Sequence, residues 1–213
     1  MPRLSTFTLA ILLIAATPAG ATRPTKARPL KTGQESSYGA SGDVTAGLSR
    51  MYNDLGNGVI KDQRTGLFWE KKSDNGSIHD KDDTYTWTSG TEIANGTVFT
   101  VFLAALNKAP CFAGYCDWRL PTTFELFTLA SLGDVDPAMP PQFHAGCTNG
   151  CSSVGWPPLT VGCTCASSGR HWTSSTNYLL PDRASVVFFL LGEATFAPKT
   201  ESHHVRAVRG GGS

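Results

Sequence analysis

The run Cys116-Asp117-Trp118-Arg119-Leu120-Pro121-Thr122-Thr123-Phe124-Glu125 constrains the fold more than any other stretch of the chain. Pro121 disfavours helical geometry in the residue before it, so residues 118–120 are expected to arrive extended. Thr122 then stands where a helix N-cap would. Its hydroxyl can accept from the Glu125 amide while the Glu125 side chain reaches back to the Thr122 amide, satisfying two donors that every helix start leaves open. Leu126, Leu129 and Ala130, with Phe124 and Phe127 beside them, offer an apolar face, and Gly133 is placed to close the helix in a left-handed cap. Trp118, Arg119, Pro121, Thr122 and Glu125 therefore read as structural residues. Arg119 with Asp117 or Glu125 resembles a catalytic ion pair only in composition; holding this strand-to-helix turn accounts for it better.

The start of the chain has the layout of a secretory signal peptide over residues 1–21: Arg3, an apolar stretch over residues 7–16, then Ala19-Gly20-Ala21. That stretch falls short of the roughly 20 apolar residues that span a bilayer, and no later one is longer, so no membrane span is expected. Residues 22–46 are rich in Pro, Gly, Ser, Thr and Lys with little to bury, which reads as a disordered linker. Residues 47–213 are one domain's worth of chain. A formal net charge of +1 argues against nucleic acid as the main partner. Six cysteines, at 111, 116, 147, 151, 163 and 165, form an even set in an exported chain and imply disulfides. Cys111 is expected to pair with Cys116 across a short turn, and Cys147 and Cys151 with Cys163 and Cys165 in an order left open. Zinc bound by the Cys-x3-Cys and Cys-x-Cys pairs is the competing reading, which an oxidising compartment disfavours. The expected location is periplasmic or extracellular.

Along the domain, residues 52–72 read as short strands separated by turns. Residues 73–83 form a polar loop whose Asp80, Asp82 and Asp83 are candidate ligand-binding residues and a candidate place for calcium; Asp54 with Asn57 is similar to a calcium loop but reads better as a hairpin turn, and no other cofactor and no metal site is expected. An apolar run predicts a buried helix within residues 93–107. Residues 133–170 lack periodicity, and a loop of that length needs the four later cysteines as staples. From Trp172 onward the pattern is sheet, with Trp172 a buried structural residue and a final strand, residues 205–209, whose arginines are expected at the rim or surface.

Five motifs occur in order: Gly56-Asn57-Gly58-Val59-Ile60-Lys61-Asp62, Arg64-Thr65-Gly66-Leu67-Phe68-Trp69-Glu70, Asp117-Trp118-Arg119-Leu120-Pro121-Thr122, Trp172-Thr173-Ser174-Ser175-Thr176 and Val205-Arg206-Ala207-Val208-Arg209-Gly210-Gly211. In them the chain resembles the C-terminal domain family of the collagen-like Lcl adhesin, a bacterial domain of unknown function. The resemblance implies an α+β, C-type-lectin-like fold: a twisted antiparallel sheet, two flanking helices and a long disulfide-stapled loop region. Family members are implicated in adhesion to sulphated polysaccharides. The chain departs from the family in the unbroken Val186-Val187-Phe188-Phe189-Leu190, where many members carry an acid, and in having no collagen-like repeat upstream.

The function these features suggest is a non-enzymatic binding module, with a carbohydrate or an envelope protein as partner, recognised through loops on a rigid scaffold. Trp156 in the stapled loop, with Asp80, Asp82 and Asp83, marks the candidate surface. Two alternatives stand beside it: a structural subunit of an envelope assembly, and an enzyme related to the sulfatase-modifying oxidases. The last needs a reactive thiol pair, whereas these cysteines are evenly paired, and the scattered His144, His171, His203 and His204 have no motif spacing. No catalytic residue is assigned. The oligomeric state has no signature in the sequence.

Overall fold

The structure, a computed structural model, describes residues 30–31, 48–90, 92–154 and 163–211. The expected signal peptide, most of the linker, and Trp156 lie outside the described residues. The architecture is α+β and dominated by short antiparallel strands. β1 (Tyr52–Asp54), β2 (Val59–Asp62) and β3 (Leu67–Glu70) form a meander. β4 (Tyr85–Thr86) follows, then helical turns over Val98–Leu103 that continue as α1 (Ala104–Leu106), and then α2 (Thr123–Phe127). β5 (Arg170–Thr176), β6 (Arg183–Phe188) and β7 (Glu193–Pro198) make a second meander, and β8 (Ser202–His203) and β9 (Val208–Gly210) close the chain.

Instead of one twisted sheet, the described residues form three: β1-β2-β3-β9, β4-β8 and β5-β6-β7. β9 links the two ends of the domain. It pairs with β3 on one side and, through reciprocal 2.9 Å bonds between Val208 and Arg119, with the extended approach to α2 on the other. Two apolar clusters flank β6. Ala184 and Val186 point with Trp172, Trp118 and Phe102 into one; Val187, and Phe189 just beyond the strand, point with Trp69, Leu126 and Leu129 into the other. Alternation along a strand sends successive side chains to opposite faces, so a strand buried on both faces must be continuously apolar. That explains the unbroken run at residues 186–189.

Four expectations about helices and strands change. The predicted helix within 93–107 is buried along a single stripe, Val98, Phe102 and Leu106, and leaves Val101 49% exposed, because only the side toward Tyr85 and Trp118 has a core to meet. α2 buries Leu126, with Leu129 and Ala130 just beyond it, but Phe124 is 88% exposed and Phe127 also faces out. The helix ends at Thr128 in right-handed geometry, so Gly133 is not its cap. In the last stretch Arg206 is fully buried rather than at the rim; only Arg209 is near the surface.

Candidate functional site

The strand-to-helix junction is built as a closed set of hydrogen bonds. Thr122 Oγ1 accepts from the Glu125 amide at 3.2 Å, and Glu125 Oε2 accepts from the Thr122 amide at 2.7 Å. The same carboxylate takes a two-pronged contact from Arg119, at 2.7 and 2.8 Å, and Arg119 also donates to the Gly210 carbonyl at 3.2 Å. Arg119 therefore ties α2 to both its own approach and the end of β9. The Arg119 guanidinium holds the Glu125 carboxyl below the usual range against the opposing effect of partial burial. Asp117 makes its ion pair elsewhere, with Arg209 at 2.6 Å, which likewise lowers its pKa. Trp118 and Trp172 are both buried; each indole N–H has a carbonyl partner, Phe112 for Trp118 and Tyr85 for Trp172. These groups hold the fold, and Glu125 also lines an open pocket with Leu67, Phe124 and Thr128.

The loop at residues 73–83 is pinned from inside. Asp80, nearly buried, accepts from the amides of Asn75 at 2.7 Å, Gly76 at 2.6 Å and Asp82 at 2.9 Å. Burial resists its ionisation, but these three donors outweigh that and its pKa lies below the ordinary value. Asp74 and Asp82 bring carboxylates within 4.8 Å of Asp80, while Asp83 turns away to accept from the Tyr85 hydroxyl at 3.3 Å. The structure thus groups Asp80 and Asp82 with Asp74, which the sequence did not single out, and leaves Asp83 aside. Lys81 sits among these acids, 2.6 Å from Asp82 and 3.5 Å from Asp74. A resident ammonium stands among the carboxylates, and the Asp80 oxygens already accept from backbone amides, so the group has counter-charge and donors of its own.

The stapled loop joins that first loop directly. Cys147 is bonded to Cys165 and Cys151 to Cys163, a nested pair, and Cys111 to Cys116. The Asp74 amide donates to the Cys151 carbonyl and the Cys165 amide to the Lys72 carbonyl, both at 2.9 Å. Ser73 and Ser153 meet through their buried hydroxyls at 2.8 Å. Gly58 explains its place in the first motif here: φ is +87°, and a Cβ would collide with Val154 of the stapled loop. The start of the 73–83 loop and the described flanks of the bridged loop are therefore hydrogen-bonded to each other.

Beneath them lies a charged cluster that sequence reading missed. Glu70 is wholly buried; its carboxylate meets His79 Nδ1 at 2.7 Å and Lys72 Nζ at 3.2 Å, and accepts from the Ala207 amide at 3.0 Å. Burial opposes its charge, yet Lys72, His79 and that amide together keep its pKa below the ordinary value. A carboxylate only accepts, so His79 carries its proton on Nδ1. Arg206 donates to the Glu70 carbonyl at 2.7 Å and the Cys165 carbonyl at 2.9 Å, and burial brings its pKa down to about 10. Burial also lowers the pKa of Lys72, which lies over the Phe102 ring at 4.6 Å. His171 is buried and packs its ring 5.4 Å from that of His204, and burial keeps its pKa well below the usual value. Only the odd spacing of Glu70-Lys71-Lys72 directly after an apolar strand hinted at this cluster, since three charges on a strand otherwise read as surface. A second missed feature is a row across the outer sheet: Lys61 and Arg209 stand 5.3 and 5.0 Å from the Phe68 ring, and Arg209 3.8 Å from that of Tyr115.

A family model, the Lcl C-terminal domain, matches residues 58–209, and the chain belongs to that family. The match runs from β2 into β9 and includes the capped junction, the four loop cysteines and the buried cluster, leaving β1 outside. No curated protein and no solved structure matches the chain. No helix among the described residues is long and apolar enough to cross a membrane. An adhesin-associated domain is what the family defines.

Proposed function

We propose that this chain is an exported, non-enzymatic binding module of C-type-lectin-like fold that recognises a glycan or another envelope ligand, in the periplasm or outside the cell. The observation that carries the reading is the union of two loops. Residues 73–83 are held by Asp80 and the bridged loop by two disulfides, and the two are hydrogen-bonded to each other. Loops fixed in advance lose less ordering entropy on binding, which favours affinity. Family membership supports an adhesin-related role. Trp156, which the sequence places between Cys151 and Cys163, is the aromatic residue this reading assigns to stacking on a sugar ring.

A glycan array on the mature chain, including neutral and sulphated sugars, tests this, followed by Trp156→Ala with binding and melting temperature read on the same sample. Weaker binding at an unchanged melting temperature is expected. A domain that binds neither a glycan nor an envelope protein overturns the reading. A variant that loses stability but keeps its binding shows that the loop only covers the core. Lys61→Ala with Phe68→Ala, on the outer sheet, locates the ligand if the loops do not hold it.

A further inference from the structure

The four loop cysteines are closer to one another than two separate bridges require. Cys165 Sγ lies 3.4 Å from Cys151 Sγ and 3.4 Å from Cys163 Sγ, sulfurs to which it is not bonded. The sulfurs of Cys147, Cys151 and Cys165 all fall within 4.8 Å of one another, and Cys163 is bonded to one of them. Three of the sulfurs therefore surround one point, and Cys163 adjoins it through Cys151 and Cys165 while standing more than 4.8 Å from Cys147. We propose that, with both bridges reduced, Cys147, Cys151, Cys163 and Cys165 form a tetrathiolate site for one zinc ion, so that the loop has a disulfide-closed and a metal-closed form.

Zinc binds four thiolates at about 2.3 Å in a tetrahedron, which places the sulfurs about 3.8 Å apart; the two unbonded contacts of Cys165 are already within about 0.4 Å of that, and Cys163 has to close toward Cys147. The surroundings suit the charge. A zinc ion with four thiolates carries two net negative charges, and behind Cys165 the buried interior holds Lys72 and Arg206 against the single carboxylate of Glu70. Arg206 reaches the Cys165 carbonyl itself. The Thr148 amide already points at Cys151 Sγ, 3.4 Å away, in the manner of the backbone N–H donors that steady a metal-bound thiolate. Cys165 and Cys151 stay anchored to Lys72 and Asp74 through main-chain hydrogen bonds that do not involve the bridges, which leaves the closing movement to Cys147 and Cys163.

The conversion balances simply. Each bridge takes two electrons from a dithiol reductant, which leaves as its own disulfide, and each pair of cysteines becomes two thiols. Zinc then displaces four protons as the thiols bind it as thiolates.

The test uses the full mature chain, reduced with a phosphine under anaerobic conditions and titrated with cobalt(II) as a spectroscopic stand-in for zinc. One cobalt per chain with the intense visible bands of a tetrahedral thiolate site is expected, displaced by zinc. Alkylation of the zinc-loaded chain should then spare these four cysteines and modify Cys111 and Cys116. Cys163→Ser with Cys165→Ser should weaken cobalt binding by more than about tenfold, whereas Cys111→Ser with Cys116→Ser should leave it unchanged. Weak octahedral bands, the same spectrum from a urea-unfolded chain, or a signal that survives Cys163→Ser with Cys165→Ser would each overturn the proposal. So would a reduced chain that takes no metal.

Discussion

Arg119 and Glu125 meet where water reaches them, whereas Glu70, Lys72 and Arg206 meet where none does, and the two groups answer to different physics. At the junction the ion pair is one part of a helix cap: its charge is screened, and its value lies in geometry, fixing α2 to the approach strand and to β9. In the interior each charge has lost its hydration, and only the mutual arrangement of carboxylate, ammonium, guanidinium and imidazole makes the burial tolerable. The exposed group can lose a member at small cost. The buried one cannot, because the partner left behind is a charge without solvent.

That contrast predicts the largest effect at Glu70. Glu70→Gln should destabilise the domain by about 3–5 kcal/mol, since Lys72 and Arg206 then remain buried without a counter-charge. Adding Lys72→Met should return part of the loss by removing one stranded cation, a coupling that a double-mutant cycle in urea measures directly. Equal stability of the single and double variants would mean that Lys72 is neutral in the folded protein, and the comparison with the surface pair would have to be redrawn.

The next effect in size belongs to the staples between the two loops. Replacing Cys147 and Cys165 together, or Cys151 and Cys163 together, by Ala should cost about 3 kcal/mol per bridge by chain entropy, against about 2 kcal/mol for the Cys111–Cys116 bridge with its smaller ring. Equilibrium unfolding of the three double variants checks the order. Should the loop bridges prove the cheaper ones to lose, the main-chain bonds of Cys151 and Cys165 to Asp74 and Lys72 are already closing the loop.

These regions also differ in how far the sequence announces them. The junction is local: proline, cap and acid sit within five residues, so their geometry follows from spacing, and the N-terminus of α2 is where Thr122 and Glu125 put it. The far end of α2 has no such local signal: the helix stops at Thr128 and packs on β5, β6 and β7, none of which Gly133 reports. The buried cluster is assembled from residues 70, 72 and 79 with the distant 206, and beyond the charged run after β3 no spacing announces that they converge. Alternation made Arg206 look like a surface residue; its real partners are carbonyls of two other segments. The same limit applies to Asp74, which reaches Asp80 through a turn rather than through a motif. The apolar stripe of 98, 102 and 106 was legible as a helix but not as half-exposed, because which faces find a core is decided by the whole fold.

Thr122→Ala sharpens the surface side of the comparison. It removes the acceptor for the Glu125 amide but leaves the Arg119 pair in place, so a loss of about 0.5–2 kcal/mol is expected, read as a lower urea midpoint at unchanged slope. An unchanged midpoint would place the weight of the junction on Arg119 rather than on the cap.

The smallest expected effect is at Glu125, and its pH dependence distinguishes the mechanism. Glu125→Gln keeps the shape of the side chain and removes its charge, which for an exposed pair should cost about 0.2–1 kcal/mol near neutral pH. The Arg119 hydrogen bonds lower the folded-state pKa of Glu125 below its ordinary value of 4.5, although burial pulls the other way. A group whose pKa is depressed on folding contributes fully above its unfolded pKa, and that contribution disappears as pH falls through the folded one. The stability gap between the parent and Glu125→Gln should therefore be constant above 4.5 and close on the acid side of it. The gap should also shrink in high salt, as a screened surface pair requires. A gap that persists unchanged into acid would mean that the carboxylate matters through shape and neutral hydrogen bonding alone. The junction would then owe nothing to charge, and the buried cluster around Glu70 would hold the domain's chief electrostatic contribution to stability.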